Sequence, residues 1–395
     1  MKALRQSPTE PAFVQDPYSF YDRARAAGPL FLWEDYALPC AAGHGEVNAL
    51  LRDRRFGREP PPGFAPEIPA HLAPFYAVEA HSMLELEPPR HTRLRGLVLR
   101  AFTSRRIAAL GPEIATLCHD LIDALPEHEA DLLPAFAQKL PVIVIARFLG
   151  VPEDRADDLL RWSNAMVGMY QAGRTPEMEA RAIAATENFV AFLHAHVEER
   201  RAAPADDLLS LLIAAEEAGD KLSTEELIST CILLLNAGHE ATVHTLGNAL
   251  NALLPRGIVP VAETAAPLVE EVMRHDPPLH LFTRWCREEA ELFGHRFRPG
   301  DQVGCLLAAA NRDPAIWPEP ARFDPGRAPG PQLAFGAGIH FCVGAPLARL
   351  ELQIALPILF ARLKGLQFSS LPRYADVYHF HGLEALPVTY ERLTR

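Results

Sequence analysis

The chain has 395 residues, of which 49% are hydrophobic and 22% charged, and its formal net charge is -12. These fractions are typical of a globular protein and exclude disorder, a collagen-like repeat and a disulfide scaffold. The negative charge argues against a nucleic-acid partner, because a phosphate backbone attracts basic surfaces. Apolar runs such as 231–235 are far shorter than the ~18 residues that span a bilayer.

The cysteines and the N-terminus predict the compartment. Six cysteines are scattered without a Cys-x-x-Cys pair, which argues against a zinc ribbon or a thioredoxin-type motif. The first residues, MKALRQSPTEPAF, lack the apolar stretch of a signal peptide. We therefore expect a cytoplasmic protein with reduced thiols and no membrane segment.

The N-terminal half is predicted to be mainly helical. One strand-like patch lies at 30–33, and the 36 prolines are spread along the chain, which favours many helices broken by turns. From about 104 to 218, apolar residues recur at three- and four-residue spacing, which is typical of helices packed on one face. The clearest examples are Ile107, Leu110, Ile114, Leu117 and Ile122.

The clearest predicted helix follows Ser223, because Ser223 and Glu226 have the spacing of a capping box. It runs to about Leu254 and ends at Pro255. About 30 residues at 1.5 Å each make it roughly 45 Å long. Its middle, 233–243, is nearly all apolar, which predicts a helix through the centre of a large domain.

Three elements are predicted towards the C-terminus. Helices are expected over 265–275 and from 345 to about 363, separated by a Gly/Pro-rich stretch at 314–331. The last segment, 377–392, mixes aromatic, histidine and β-branched residues as short strands do. Because the composition never shifts at a linker, we expect one mainly α domain with a small β region over residues 1–395.

A ten-residue pattern, FGAGIHFCVG at 335–344, carries the chemistry. Its three glycines admit positive φ angles and close approach of another group. Free amides before a helix favour the thiolate of Cys342, which suits an axial metal ligand. A lone cysteine in such a turn is more often a small buried apolar residue, but the complete pattern favours the ligand.

The pattern resembles the heme-binding signature of the cytochrome P450 superfamily, Phe-x-x-Gly-x-x-x-Cys-x-Gly, with the histidine found two residues before the cysteine in many bacterial members. Other segments resemble family landmarks in the family's order, and they lie at 16–18, 91–95, 237–240, 271–274, 310–314 and 320–323. The resemblance spans nearly the whole chain. It implies the family's triangular single-domain fold, with heme b between the long central helix and the Cys342 loop.

The resemblance also implies residue roles. Cys342 would be the axial ligand of the heme iron, whose thiolate donates electron density that favours O–O cleavage. Phe335 would pack beside the sulfur and exclude water. Further heme contacts, in the loop and at the two propionates, would come from His91, Arg95, Arg284, Gly336, His340 and Gly344. A buried structural triad would consist of Glu271, Arg274 and Arg322.

The implied activity is that of a monooxygenase, which inserts one oxygen atom of dioxygen into a small or medium hydrophobic substrate. Since no reductase domain fits in the chain, a separate ferredoxin and ferredoxin reductase would supply electrons to a monomer. Their docking surface over Cys342 would use arginines, although a solvated face explains these equally well: Arg100, Arg105, Arg106 and Arg349. The alternatives are a peroxide-driven heme enzyme and a non-catalytic heme sensor or carrier.

Substrate-pocket residues are implied by the resemblance alone, and ordinary core packing is an equal explanation for each. The set is mostly apolar, which favours a hydrophobic substrate. A polar handle would come from His280, His379 or His381. The implied pocket walls are Phe75, Met83, Leu84, Met166, Tyr170, Leu235, Ala237, Ala241, Leu281, Phe282 and Phe380.

The central helix departs from the family pattern, in which an acid directly precedes threonine. Here Glu240 is followed by Ala241, and a threonine comes only at Thr242. One residue turns a helix by ~100°, so the Thr242 hydroxyl points elsewhere, while Thr245 lies one turn below Ala241. We expect Gly238, Glu240, Ala241 and Thr242 to form the oxygen-activating segment, with Glu240 passing protons through water and a substrate hydroxyl completing the relay.

Overall fold

The structure is a computed structural model that describes residues 1–171, 173–217, 222–378 and 380–395. No helix in that part of the chain is both long and apolar enough to span a bilayer. The helices of the described residues are α1 (Pro11–Gln15), α2 (Tyr18–Ala26), α3 (His44–Arg52), α4 (Ala73–Glu79), α5 (Arg90–Ala101), α6 (Ser104–Ala109), α7 (Gly111–Asp123), α8 (Lys139–Leu149), α9 (Ala156–Val167), α10 (Pro176–Ala202), α11 (Leu208–Glu217), α12 (Thr224–Leu253), α13 (Ala265–His275), α14 (Leu307–Ala310) and α15 (Ala345–Arg362).

The strands are short and form three sheets within the described residues. They are β1 (Lys2–Leu4), β2 (Phe31–Trp33), β3 (Leu38–Ala41), β4 (Phe56–Gly57), β5 (Glu129–Asp131), β6 (Leu281–Cys286), β7 (Ala290–Leu292), β8 (His295–Phe297), β9 (Gln302–Leu306), β10 (Leu363–Phe368) and β11 (Pro387–Arg392). The sheet orders are β1-β2-β3-β9-β6-β4, β10-β11-β5 and β7-β8. The prediction of a mainly α fold with a small β region is therefore confirmed.

Helix α12 is the central element, as predicted. The Ser223 hydroxyl accepts a hydrogen bond from the Glu226 amide, and the Glu226 carboxylate accepts one from the Ser223 amide. Most of the helix is buried, and it contacts α4, α8, α9, α10, α11, α13 and α15. A helix that is apolar on most sides can be buried in this way only between layers of other helices.

The predicted C-terminal helices agree closely with the observed ones, whereas the last predicted segment differs. Helix α13 has the predicted bounds and α15 ends one residue early, but within the described residues of 377–392 only β11 forms a strand. Before it, Phe380 forms an isolated bridge with Leu279, and Tyr374 forms one with Leu383. The described residues of 369–386 form no further strand; there Tyr374 and His381 donate hydrogen bonds to Asp276, and Asn251 donates one to the Tyr374 hydroxyl.

Sheet β6–β9 and the segment before α15 position the site. β6 pairs antiparallel with β9, with Arg284 opposite Val303 and Phe282 opposite Cys305. This register fixes the face on which Phe282 and Arg284 lie, since alternate residues of a strand share a face. The 335–344 loop then leads directly into α15, which packs against α7, α12 and α13.

Candidate heme-thiolate site

Two glycines with positive φ angles shape the loop around Cys342. Gly336 has φ +69° and Gly338 has φ +73°, a region that favours glycine. A Cβ on Gly338 would lie 2.3 Å from the carbonyl oxygen of Leu51, so this glycine also permits close packing on α3. The Cys342 amide donates to the Phe335 carbonyl at 3.0 Å and closes the loop.

Cys342 differs from the other cysteines, because it is exposed and the other five are buried. Protein groups nevertheless crowd its sulfur, and this desolvation raises the pKa of the thiol. The amides of Gly344 and Ala345 and the guanidinium groups of Arg95 and Arg349 act in the opposite direction. Groups that stabilise negative charge therefore surround the sulfur, as a thiolate ligand requires.

The predicted propionate residues lie together. The rings of His91 and His340 are 4.4 Å apart, and Arg95 lies close enough to His91 to disfavour its charged form. Burial is the larger cause, and together these effects lower the pKa of His91 to about 4. Arg284 is buried on β6, and desolvation lowers its pKa to about 10.

The donor set fits a buried dianionic group. His91 Nδ1 is buried and has no hydrogen-bond partner among the described residues. Within the same part of the chain, the buried Arg284 guanidinium forms no ion pair and donates to the backbone carbonyl of Thr283. The Arg284 cation is buried without a carboxylate, which is costly, and a neutral His91 can donate from Nδ1, so both groups are suited to bind heme propionates.

Glu87 is a neighbour of this cluster that the sequence did not predict. Its carboxylate lies 2.9 Å from His340 Nε2 and accepts a hydrogen bond from the Arg58 amide at 2.7 Å. Burial raises the pKa of this carboxyl, but the bonds from His340 and Arg58 lower it further, so the net pKa lies below its ordinary value. The contact holds His340 towards His91; no local motif signals it, because the partners are far apart in sequence.

The predicted triad has a different third member. Arg274 donates two hydrogen bonds of 2.7 Å to the buried Glu271. The side chain of Arg322 is largely exposed and pairs with Glu319, so the prediction for Arg322 is wrong. Arg327 takes its place, with Nε 3.2 Å from Glu271 Oε2.

Arg322 still contributes through its backbone. Its carbonyl accepts from Arg274 at 3.2 Å and from Arg327 at 3.0 Å. The chain at 322 therefore binds both arginines while its own side chain points outward. Choosing between these arginines requires the course of the backbone, which the spacing of residues alone does not give.

The predicted oxygen-activating segment is a continuous part of α12. Ala237 is exposed and Gly238 is half-buried. The Thr245 hydroxyl donates to the Ala241 carbonyl at 2.6 Å, whereas Thr242 is buried. Two imidazoles, of His239 and His244, lie on either side of the Glu240 carboxylate.

The implied pocket residues do not all belong to one cluster. Phe75, Met83, Met166 and Leu235 are buried in the main hydrophobic core around α12. Tyr170 and Leu84 are exposed, and the Tyr170 ring lies 6.2 Å from that of Phe75. Phe380 packs on His244 with ring centroids 5.2 Å apart.

Leu281 and Phe282 pack elsewhere, against two smaller clusters built around the six-stranded sheet. His280 and His381 do not supply the expected polar handle, because both are buried beside Asp276 and form hydrogen bonds within the protein. His379 lies outside the described residues.

Similarity to known proteins agrees with this geometry. A family model described as Cytochrome P450 matches residues 266–369. The "Biotin biosynthesis cytochrome P450" of Bacillus subtilis is 34% identical over 98% of this chain and 100% of the relative. The "Cytochrome P450 monooxygenase PikC" of Streptomyces venezuelae is 37% identical over 96% of this chain and 92% of its own.

Solved structures extend the likeness to the fold. P450BioI, in complex with an acyl carrier protein ligated to hexadec-9Z-enoic acid, superposes with a TM-score of 0.90 at 35% identity, over 96% of this chain and 100% of its own. The myxobacterial cytochrome P450 CYP267B1, in complex with myristic acid, gives 0.87 at 35% identity, over 98% of this chain and 99% of its own.

The fold and the cysteine loop thus define a heme-thiolate protein. The chain belongs to the cytochrome P450 family. It is a monooxygenase that binds heme b, and its relatives use dioxygen and hydrophobic substrates.

Proposed function

We propose that this monooxygenase oxidises a small or medium hydrophobic compound with electrons from a separate ferredoxin and its reductase. The observation that carries the proposal is the exposed Cys342 in its glycine-shaped loop, together with the buried His91 and Arg284, which form no ion pair within the described residues. We also propose that residues 1–395 act as one heme-binding unit.

Each residue then has a specific task. Cys342 would bind the iron, while His91, Arg95, Arg284 and His340 would hold the two propionates. The bound heme supplies dioxygen activation and oxygen transfer, which no side chain can perform. Phe335 lies beneath the Arg349 guanidinium and shields the loop, and Glu240 would carry protons.

We propose that fewer arginines form the docking surface than the four that the sequence suggested. Arg349 is paired with Glu270, and Arg106 is paired with Asp206. Arg105 is exposed and is the better candidate for contact with an acidic ferredoxin.

A second candidate is peroxide-driven oxidation, which the missing hydroxyl at Ala241 favours.

Substrates are best sought among the compounds named with the relatives. These are free fatty acids, acyl groups on a carrier protein, and 6-deoxyerythronolide B.

The test is turnover of a compound that shifts the heme spin state. The proposal expects product with NADPH, dioxygen and a surrogate ferredoxin with its reductase, and far less with peroxide alone. Turnover that is equally fast with peroxide and no partner would replace the proposal with the second candidate.

A further inference from the structure

Two histidines flank the acid of the central helix. Glu240 Oε1 lies 3.7 Å from His239 Nε2, and Glu240 Oε2 lies 3.6 Å from His244 Nε2. These separations exceed a direct hydrogen bond by only a few tenths of an ångström, so a small side-chain rotation would close either of them. Burial raises the pKa of the Glu240 carboxyl, yet the two imidazoles lower it further, so its net pKa lies below the ordinary value.

The hydrogen bond of His239 fixes its tautomer. His239 Nδ1 lies 2.8 Å from the Leu235 carbonyl, which can only accept, so Nδ1 carries a proton. Its Nε2 is buried without a hydrogen-bond partner among the described residues. The side chain is 1% exposed, so His239 exchanges protons with solvent poorly and acts as a fixed neighbour of Glu240.

His244 is more exposed to solvent than His239, and Gly382 leaves room for its ring. Its side chain is 15% exposed, and its ring packs against Phe380. A Cβ on Gly382 would lie 1.8 Å from His244 Nδ1, so only glycine at that position leaves room for the imidazole. His381, next to Gly382 in the loop packed against α12, is bonded to Asp276 instead.

The neighbouring hydroxyls do not replace this imidazole. Position 241 is alanine, and the Thr245 hydroxyl already donates its proton to the Ala241 carbonyl. His244 is thus the partly exposed imidazole beside Glu240, since 15% of its side chain is accessible against 1% for His239.

We propose that His244 is the proton-relay residue that reloads Glu240 during turnover, an inference that rests on the proposed function. The proton leaves His244 Nε2 and binds Glu240 Oε2 when a small side-chain rotation closes the 3.6 Å gap, and solvent then reprotonates the imidazole. Glu240 would donate the proton towards the heme pocket, where the bound heme would supply the reduction of dioxygen with electrons from the redox partner. His244 acts through Glu240 and positions the proton.

The experiment compares His244→Phe and His244→Gln with Glu240→Gln. His295→Phe is the matched control, since His295 also packs against a phenylalanine but lies in the separate β7–β8 sheet. Product per NADPH, the solvent deuterium isotope effect and the pH profile are measured with the same substrate. Both His244 variants should lose about tenfold or more in coupled turnover and should lack the wild-type fall at high pH, as expected when a general acid is removed.

A second readout needs no turnover. In infrared difference spectra, the protonated carboxyl band that Glu240→Gln removes should persist to higher pH in His244→Phe, because an imidazole that favours the carboxylate is gone. His244→Gln carries the test if the phenylalanine variant does not fold.

Coupling, pH profile and carboxyl band equal to those of His295→Phe would overturn the relay. Loss of the thiolate carbon monoxide band in the wild type would refute the proposed function instead, so the two failures are distinguishable.

Discussion

Arg327 and Arg322 lie five residues apart, yet only the side chain of Arg327 reaches the buried carboxylate of Glu271. The family resemblance of the sequence implied the buried Glu271–Arg274 pair, and the structure contains it. It could not select the third arginine, because that choice depends on where the chain around 322 turns its carbonyls. Local spacing predicts contacts within a helix. It does not predict contacts between segments that are distant in sequence and lie together only in the folded protein.

The first prediction follows from this difference. Arg327→Ala should lower the free energy of unfolding by about 3 kcal/mol, because it leaves a buried carboxylate with one partner fewer. Arg322→Ala should change it by less than about 0.5 kcal/mol, since the side chain is mainly exposed and its carbonyl remains. Urea unfolding of both variants measures the difference. Equal losses would show that Arg322 shares the stabilising role.

Helix α12 could be predicted in detail from the sequence. Its capping box, its length and its central position all followed from local spacing and apolar content. Its contacts with other helices could not, because Ile145 on α8 approaches Gly238 from a distant part of the chain. A Cβ on Gly238 would lie 2.8 Å from Ile145 Cγ1.

The second prediction concerns this helix contact. Alanine is the better helix former, but Gly238→Ala should destabilise the protein by about 1 kcal/mol because it overpacks the α8–α12 interface. The same change in an Ile145→Ala background should be neutral or stabilising. A double-mutant cycle of unfolding free energies measures the coupling. Additive effects of the two substitutions would contradict the steric account.

Loss of solvent contact keeps several histidines neutral, among them the buried His280 and the half-buried His275. The pKa of His280 is lowered to about 4 and that of His275 to about 3, in each case chiefly by desolvation. His280 lies beside Asp276, which also binds Tyr18 and Tyr374. This network joins α2, the end of α13 and the C-terminal segment, and it could not be predicted because its partners are far apart in the sequence.

The third prediction is a pH dependence of stability. Between about pH 6.5 and pH 4 a buried imidazole such as that of His280 binds a proton in the unfolded chain but not in the folded one. The free energy of unfolding should therefore fall as the pH falls through this window. His280→Gln should make the slope shallower by about one proton. Urea titrations at several pH values give the slope. A slope unchanged by this variant would show that His280 is already charged in the folded protein.

The central claim is that the Cys342 thiolate is the heme ligand, and the spectrum of the reduced carbon monoxide complex tests it most directly. The wild type should show the red-shifted Soret band of thiolate-ligated heme, and Cys342→Ser should lack it, because a hydroxyl stays protonated and donates far less charge to iron. Retention of that band in Cys342→Ser would contradict the assignment of the ligand.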